Sequence, residues 1–77
     1  MNKIDAYKLL SEELNSVRDL GLEGANELLS KSNEFIKKSN SGASYYVTIR
    51  IVGAGLEGSI HDYNTQNFEL LEETIEF

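Results

Sequence analysis

Very few residues of this sequence could perform covalent chemistry or hold a transition metal. His61 is the one histidine, and the sequence has no cysteine. A zinc site of ordinary composition and a cysteine nucleophile are therefore both excluded. On a strand, Ser59 would share a face with His61 while Asp62 points to the other face, so these side chains do not predict a catalytic triad. We interpret His61 as a solvent-facing strand residue and expect no enzymatic activity.

Three glycines have the spacing of a dinucleotide-binding loop. Gly53, Gly55 and Gly58 follow an apolar segment and match the pattern G-x-G-x-x-G. That function requires a helix that opens at the third glycine and then a further parallel strand. The nineteen residues that follow Gly58 are too few for these elements. We therefore interpret the glycines as parts of a tight hairpin and expect no cofactor.

A second pattern resembles the spacing of a calcium-binding loop. Asp62, Asn64 and Gln66 alternate, and Glu73 stands at the twelfth position of the pattern. However, Gln66 occupies a position that favours an acid or asparagine, and Asn67 occupies the position where glycine makes the turn. We interpret this segment as a polar hairpin loop and expect no bound metal.

The negative charge of the chain is concentrated in its second half. The formal net charge is −6, of which residues 41–77 contribute −5 and residues 1–40 contribute −1. This charge disfavours nucleic acid and anionic membranes as partners and favours a protein with a basic surface. The glutamates of the last segment are open to two interpretations, a solvated face or an acidic binding patch. Catalysis by these glutamates would need a deep cleft, which so short a chain rarely builds.

Tyrosines mark the same half of the chain as a candidate contact surface. Tyr45, Tyr46 and Tyr63 cluster there, and tyrosine is favoured in protein interfaces because it presents a large rigid surface with a polar tip. Ordinary cross-strand pairing is the alternative explanation. The candidate partner-binding residues are Tyr46, Arg50, Tyr63, Glu69, Glu72, Glu73 and Glu76.

Helical spacing of apolar residues predicts two helices in the first half. The first runs from Ile4 to Leu20, with Asn2 as its N-cap and Gly21 as its stop. The second runs from about residue 22 to Lys38. It includes Phe35 and Ile36, and it has Glu27–Lys31 and Glu34–Lys38 in the favourable i,i+4 order. The short link at Gly21 indicates a helical hairpin.

Alternating β-branched and aromatic residues predict strands in the second half. The segment 45–52 is the best strand, with Tyr45, Val47, Ile49 and Ile51 on one face. A three-residue loop, Gly53-Ala54-Gly55, leads to an antiparallel partner strand. The segment 66–77 fits a third strand, with a helix as the alternative. As a strand it would point Glu73 inward unless that residue lies near an edge, where glutamates would also hinder edge-to-edge pairing.

These elements predict a single α+β domain over residues 1–77 of order α-α-β-β-β. A helical hairpin at about 3–38 packs on a small antiparallel β-meander at about 44–77. The predicted core consists of the apolar residues Tyr7, Leu10, Leu14, Val17, Leu28, Phe35, Ile36, Val47, Ile49, Ile51, Leu56 and Ile60.

The function predicted from these observations is that of a small acidic protein-binding module in the cytoplasm. No apolar run has the length of a signal peptide or a membrane span. An inhibitor or an immunity-type protein that covers a basic surface of its partner would have this inventory of residues. The alternative is a structural homo-oligomer with no chemistry of its own, since self-association often supplements the marginal stability of a chain of 77 residues. A homodimer is therefore also expected.

Overall fold

The computed structural model describes residues 2–63 and 70–77 as two helices followed by a four-stranded antiparallel sheet. The predicted α+β class, with N-terminal helices packed on a small sheet, is confirmed, and the last element is a strand. The strands lie in chain order across the sheet. The elements are α1 (Lys3–Asp19), α2 (Gly21–Lys31), β1 (Glu34–Lys38), β2 (Ser44–Val52), β3 (Gly55–Asp62) and β4 (Leu71–Glu76).

The limits of α1 agree with the capping residues in the sequence. The side chain of Asn2 accepts a hydrogen bond of 3.1 Å from the backbone N–H of Asp5, which confirms Asn2 as the N-cap. Leu20 is the C-cap, and Gly21 follows it with a φ of +76°. Glycine adopts this left-handed conformation without steric cost, so the chain can turn here directly into α2.

The prediction that the second helix continues to Lys38 is wrong. Helix α2 ends at Lys31, and Ser32 is already extended, with φ −162° and ψ 133°. Residues 34–38 form β1 instead, paired antiparallel with β2 so that Phe35 lies opposite Val47. The short apolar run at Phe35 and Ile36 fits either period. Pairing with the neighbouring strand β2 selects the strand conformation for this segment. Aromatic and β-branched residues such as Phe35 and Ile36 pack well on a sheet.

The core lies between α1 and the sheet, and three predicted core residues are wrong. Tyr7, Leu28 and Ile36 are all exposed. Ile36 leaves the core because, on β1, it points to the face of the sheet opposite the helices. Ala6 of α1 and Ala25 of α2, which were not predicted in the core, are fully buried instead. The residues of the buried hydrophobic cluster are Ala6, Leu10, Leu14, Val17, Ala25, Tyr45, Val47, Ile49, Leu56 and Ile60.

The hairpin between β2 and β3 is tighter than predicted. Val52 pairs with Gly55, so the loop consists of Gly53 and Ala54 alone. Along β4 the burial alternates, with Leu71, Glu73 and Ile75 on the face towards α1. None of the helices in the described part of the chain is long and apolar enough to span a membrane.

Candidate functional site

The sheet has one face against the helices and one face directed away from them, which we call the outer face. Helix α1 lies over β3 and β4, and α2 lies beside β2. Antiparallel register places the outward residues of neighbouring strands side by side. The outer face comprises Glu34, Ile36 and Lys38 of β1; Tyr46, Thr48, Arg50 and Val52 of β2; Glu57, Ser59 and His61 of β3; and Glu72, Thr74 and Glu76 of β4.

An aromatic cluster occupies one end of the outer face. The ring of Tyr46 stacks on the ring of His61, with centroids 5.4 Å apart and planes within 2°. Tyr46 also stacks on Tyr63, with centroids 6.1 Å apart. On the other side of Tyr46, Ile36 stands opposite in the register of β1 with 56 % of its surface exposed. The cluster of Ile36, Tyr46, His61 and Tyr63 is thus a semi-exposed apolar and aromatic surface held by three adjacent strands and the residue that follows β3.

An ion pair occupies the other end of the outer face. Arg50 and Glu57 face each other across β2 and β3, and two guanidinium nitrogens of Arg50 bond Oε1 of Glu57 at 2.6 and 3.1 Å. Because both side chains reach solvent, this pair contributes little to folding stability.

The predicted glutamates of β4 divide between the two faces. Glu72 and Glu76 are exposed on the outer face, opposite Ser59 and Gly55. Glu73 points the other way and accepts a hydrogen bond of 2.7 Å from the hydroxyl of Ser11 on α1. The carboxylate of Glu73 points inward from the edge strand β4, and that bond gives it a hydrogen-bond partner there. Glu69, the remaining predicted residue of this set, lies outside the described residues.

The outer face therefore brings together four of the predicted partner-binding residues, Tyr46, Arg50, Glu72 and Glu76. A fifth, Tyr63, follows β3 directly and stacks on Tyr46. Ile36 was not among the predicted contact residues because residues 34–38 were predicted to be helical, and His61 was predicted to be an ordinary solvent-facing residue. Recognising residues 34–38 as a strand would have placed Ile36 beside Tyr46. The calcium-like pattern includes Asn64, Gln66 and Asn67, which also lie outside the described residues.

Away from the outer face, a cluster of polar side chains joins the start of α1 to the loop between β1 and β2. Oδ2 of Asp5 accepts hydrogen bonds from the hydroxyls of Ser39, Ser41 and Tyr45 at 2.6, 2.8 and 2.9 Å. The bonds from Ser39 and Ser41, followed by that from Tyr45, lower the pKa of Asp5. Burial, and then the bond to Asp5, raise the pKa of Tyr45 to about 12. The three donors belong to the chain itself, so the cluster stabilises the contact between α1 and this loop.

An apolar cavity of about 300 Å³ opens between α1, α2 and β1. Its lining includes Val17, Leu28, Phe35 and Ile49. At its rim the ammonium group of Lys37 lies 3.1 Å from a carboxylate oxygen of Glu13. The described residues contain no group of three or more histidine, aspartate or glutamate side chains placed to hold a metal ion.

Comparisons of this chain with protein-family models, with curated proteins and with solved structures found no match.

Proposed function

We propose that this chain is a small, non-catalytic protein-binding module that contacts its partner through the outer face of the sheet. The observation that supports this most strongly is the aromatic cluster of Ile36, Tyr46, His61 and Tyr63. Protein interfaces favour rigid aromatic side chains at their centre, surrounded by polar side chains at the rim. The stacking within the cluster fixes the rings before binding, so little side-chain entropy would be lost on association.

The charges around the cluster favour a basic partner. Among the described residues, the outer face has the carboxylates of Glu34, Glu57, Glu72 and Glu76 against the cationic groups of Lys38 and Arg50. Glu57 is already paired with Arg50. The remaining excess lies along β4, where Glu72 and Glu76 flank Thr74. A surface of this sign would accelerate encounter with a positively charged protein.

An inhibitor or an immunity-type protein is the specific role that we propose. Such a protein covers a basic surface of its target and needs complementary charge and rigid contact residues. The cytoplasm is the proposed compartment.

Affinity capture tests this proposal. The full chain is immobilised and exposed to an extract of its source cells at about 0.05 M and about 0.5 M salt, since salt screens exposed charges. We expect a partner that is retained at low salt and released at high salt. The double variant Glu72→Gln, Glu76→Gln should retain less of it.

The matched control is the double variant Glu23→Gln, Glu27→Gln on the exposed surface of α2. It removes the same charge from the opposite side of the molecule and should capture the partner as well as the unaltered chain. Equal losses from the two double variants, or capture that does not depend on salt, would contradict the proposed face and its electrostatic character.

A further inference from the structure

The outer edge of β1 has backbone groups that no other strand in the described part of the chain pairs with. Strand order places β1 at one edge of the sheet, and no strand among residues 2–63 and 70–77 pairs with its far side. The backbone N–H of Ile49 bonds the carbonyl of Asn33, and that of Ser39 bonds the carbonyl of Ala43. Since antiparallel ladders alternate, the odd-numbered residues of β1 bond β2, and Glu34, Ile36 and Lys38 direct their backbone groups outward.

A neighbouring side chain confirms this direction. The hydroxyl of Ser32 donates to the backbone carbonyl of Glu34 at 3.0 Å and accepts from its N–H at 3.4 Å. Ser32 therefore caps one end of the free edge. The carbonyl has a second lone pair and the bond to the N–H is long, so another strand can still pair along β1.

We propose that this edge pairs with β1 of a second copy of the chain, antiparallel and about a two-fold axis at Ile36, to form a continuous eight-stranded sheet. In that register Ile36 bonds Ile36 of the second copy through both backbone groups. Glu34 then lies opposite Lys38 of the second copy, and Lys38 opposite Glu34 of the second copy. Directly opposed residues of a hydrogen-bonded pair have Cα atoms about 5.5 Å apart, so both pairs can form salt bridges.

The sequence of β1, Glu-Phe-Ile-Lys-Lys, is thus self-complementary in charge. The opposite edge is not, because β4 contains Glu72, Glu73 and Glu76. Antiparallel pairing of β4 with itself would bring carboxylates close together, and charged side chains protect edge strands in this way. Of the two edges, β1 alone is suited to a second copy.

Apolar surface on both sides of β1 favours the same occupant. On the outer face Ile36 would be covered by Ile36 of the second copy. On the inner face neither helix lies directly over β1 in the described part of the chain. The apolar cavity lined by Leu20, Leu28 and Phe35 opens there, and Leu20 has 52 % of its surface exposed. In the proposed dimer the cavities of the two copies lie on the same side of the sheet. Burial of their apolar linings would stabilise the dimer.

Sedimentation equilibrium of the purified chain over a wide range of concentrations tests the proposal. We expect a reversible monomer–dimer equilibrium. Lys38→Glu and Glu34→Lys each place like charges opposite one another twice and should raise the dimer Kd by about tenfold. The double variant Glu34→Lys, Lys38→Glu restores opposite charges and should return the Kd to about the original value.

The charge series separates local pairing from net charge. Lys38→Glu makes the chain more acidic and Glu34→Lys makes it less acidic, so a dimer governed by net charge would respond to them in opposite directions. Opposite responses, or no recovery in the double variant, would overturn the proposed register.

A backbone variant tests the hydrogen bonds themselves. Ile36→Pro removes the outward N–H without removing a bond to β2, whereas Ile36→Ala keeps it. After circular dichroism has shown a folded chain, Ile36→Pro should weaken the dimer more than Ile36→Ala does. If the proline variant does not fold, the dimer Kd values of the charge variants at residues 34 and 38 test the proposal on their own. A chain that stays monomeric up to its solubility limit would overturn the proposal, and this result would leave the heterologous partner of the outer face untouched.

Discussion

Asp5 is the residue that ties the first turn of α1 to the loop between β1 and β2. One carboxylate oxygen accepts three hydroxyl hydrogen bonds, from Ser39, Ser41 and Tyr45. These bonds favour the ionised carboxylate, so the pKa of Asp5 lies below its ordinary value of 3.8. Each hydroxyl loses a charged acceptor if the carboxylate is neutralised.

We predict that Asp5→Asn lowers the thermal midpoint of unfolding. Because the folded-state pKa is lowered, the ionised form stabilises the fold at pH values above 3.8. That stabilisation is lost as the pH falls through the folded-state pKa. Differential scanning calorimetry across pH should therefore show the largest difference from the unaltered chain near neutrality and a shrinking difference below about pH 4.

Asp19→Asn provides the control, since Asp19 is an exposed acid of the same helix and the change of charge is identical. It should leave the midpoint nearly unchanged at neutral pH. An Asp5→Asn midpoint that stays a constant distance below that of the unaltered chain down to the most acidic pH would contradict the role assigned to the charge.

At the scale of the elements, Gly58 sets how closely α1 approaches the sheet. A Cβ atom at this position of β3 would lie 2.9 Å from Cδ1 of Leu10 and 2.9 Å from Cδ2 of Leu14. Both leucines are fully buried. The absence of a side chain at Gly58 therefore makes room for the helix ridge that fills the core.

Gly58→Ala should reduce the free energy of unfolding by about 1–3 kcal/mol, the usual cost of inserting a methyl group into a packed core. Urea unfolding followed by circular dichroism would measure it. Ser59→Ala, one residue along the same strand but on the outer face, should change the stability by less than about 0.5 kcal/mol. A Gly58→Ala variant as stable as the original chain would show that α1 is not packed this tightly on β3.

The elements also show how far the sequence alone can predict this fold. Helix α1 and strands β2 and β3 were predictable because their periodicity is strong and Asn2 and Gly21 bound the first helix. Strand β1 was not, because Phe35 and Ile36 fit both periods and Glu34 and Lys38 have helical i,i+4 spacing. Only pairing with β2, which the periodicity of residues 34–38 does not reveal, decides between the two structures.

The candidate site was predictable to a similar extent. Tyr46 and Arg50 were correctly placed on the face away from the core, since alternation along a clear strand determines side-chain direction. The stack of Tyr46 with His61 depends on the register between β2 and β3, which the sequence does not reveal. Ile36 could be placed beside Tyr46 only if residues 34–38 were recognised as a strand. Because this segment was predicted to be helical, Ile36 was not predicted as part of the cluster.

At the scale of the whole molecule, the buried core and the proposed contact surface lie on different faces of the sheet. The helices and the inner face of the sheet contain the buried core. The outer face has the stacked aromatic cluster at one end, the Arg50–Glu57 pair at the other and the glutamates of β4 along its edge. If the proposed function is correct, the formal charge of −6 would help this surface to attract a basic partner over long range. Pairing through β1 would join the outer faces of the two copies edge to edge. It would cover Ile36 at the seam and leave the rest of the outer face open.

Site-specific photo-crosslinking in the source cells tests most directly whether the outer face is the contact surface. A photoreactive residue is placed at Thr74, exposed on the outer face, and in a second variant at Glu23, exposed on α2. Mass spectrometry then identifies the adducts. We predict an adduct with a basic protein from the Thr74 position and none of that protein from the Glu23 position. The same adduct from both positions, or from Glu23 alone, would contradict the assignment of the outer face as the binding surface.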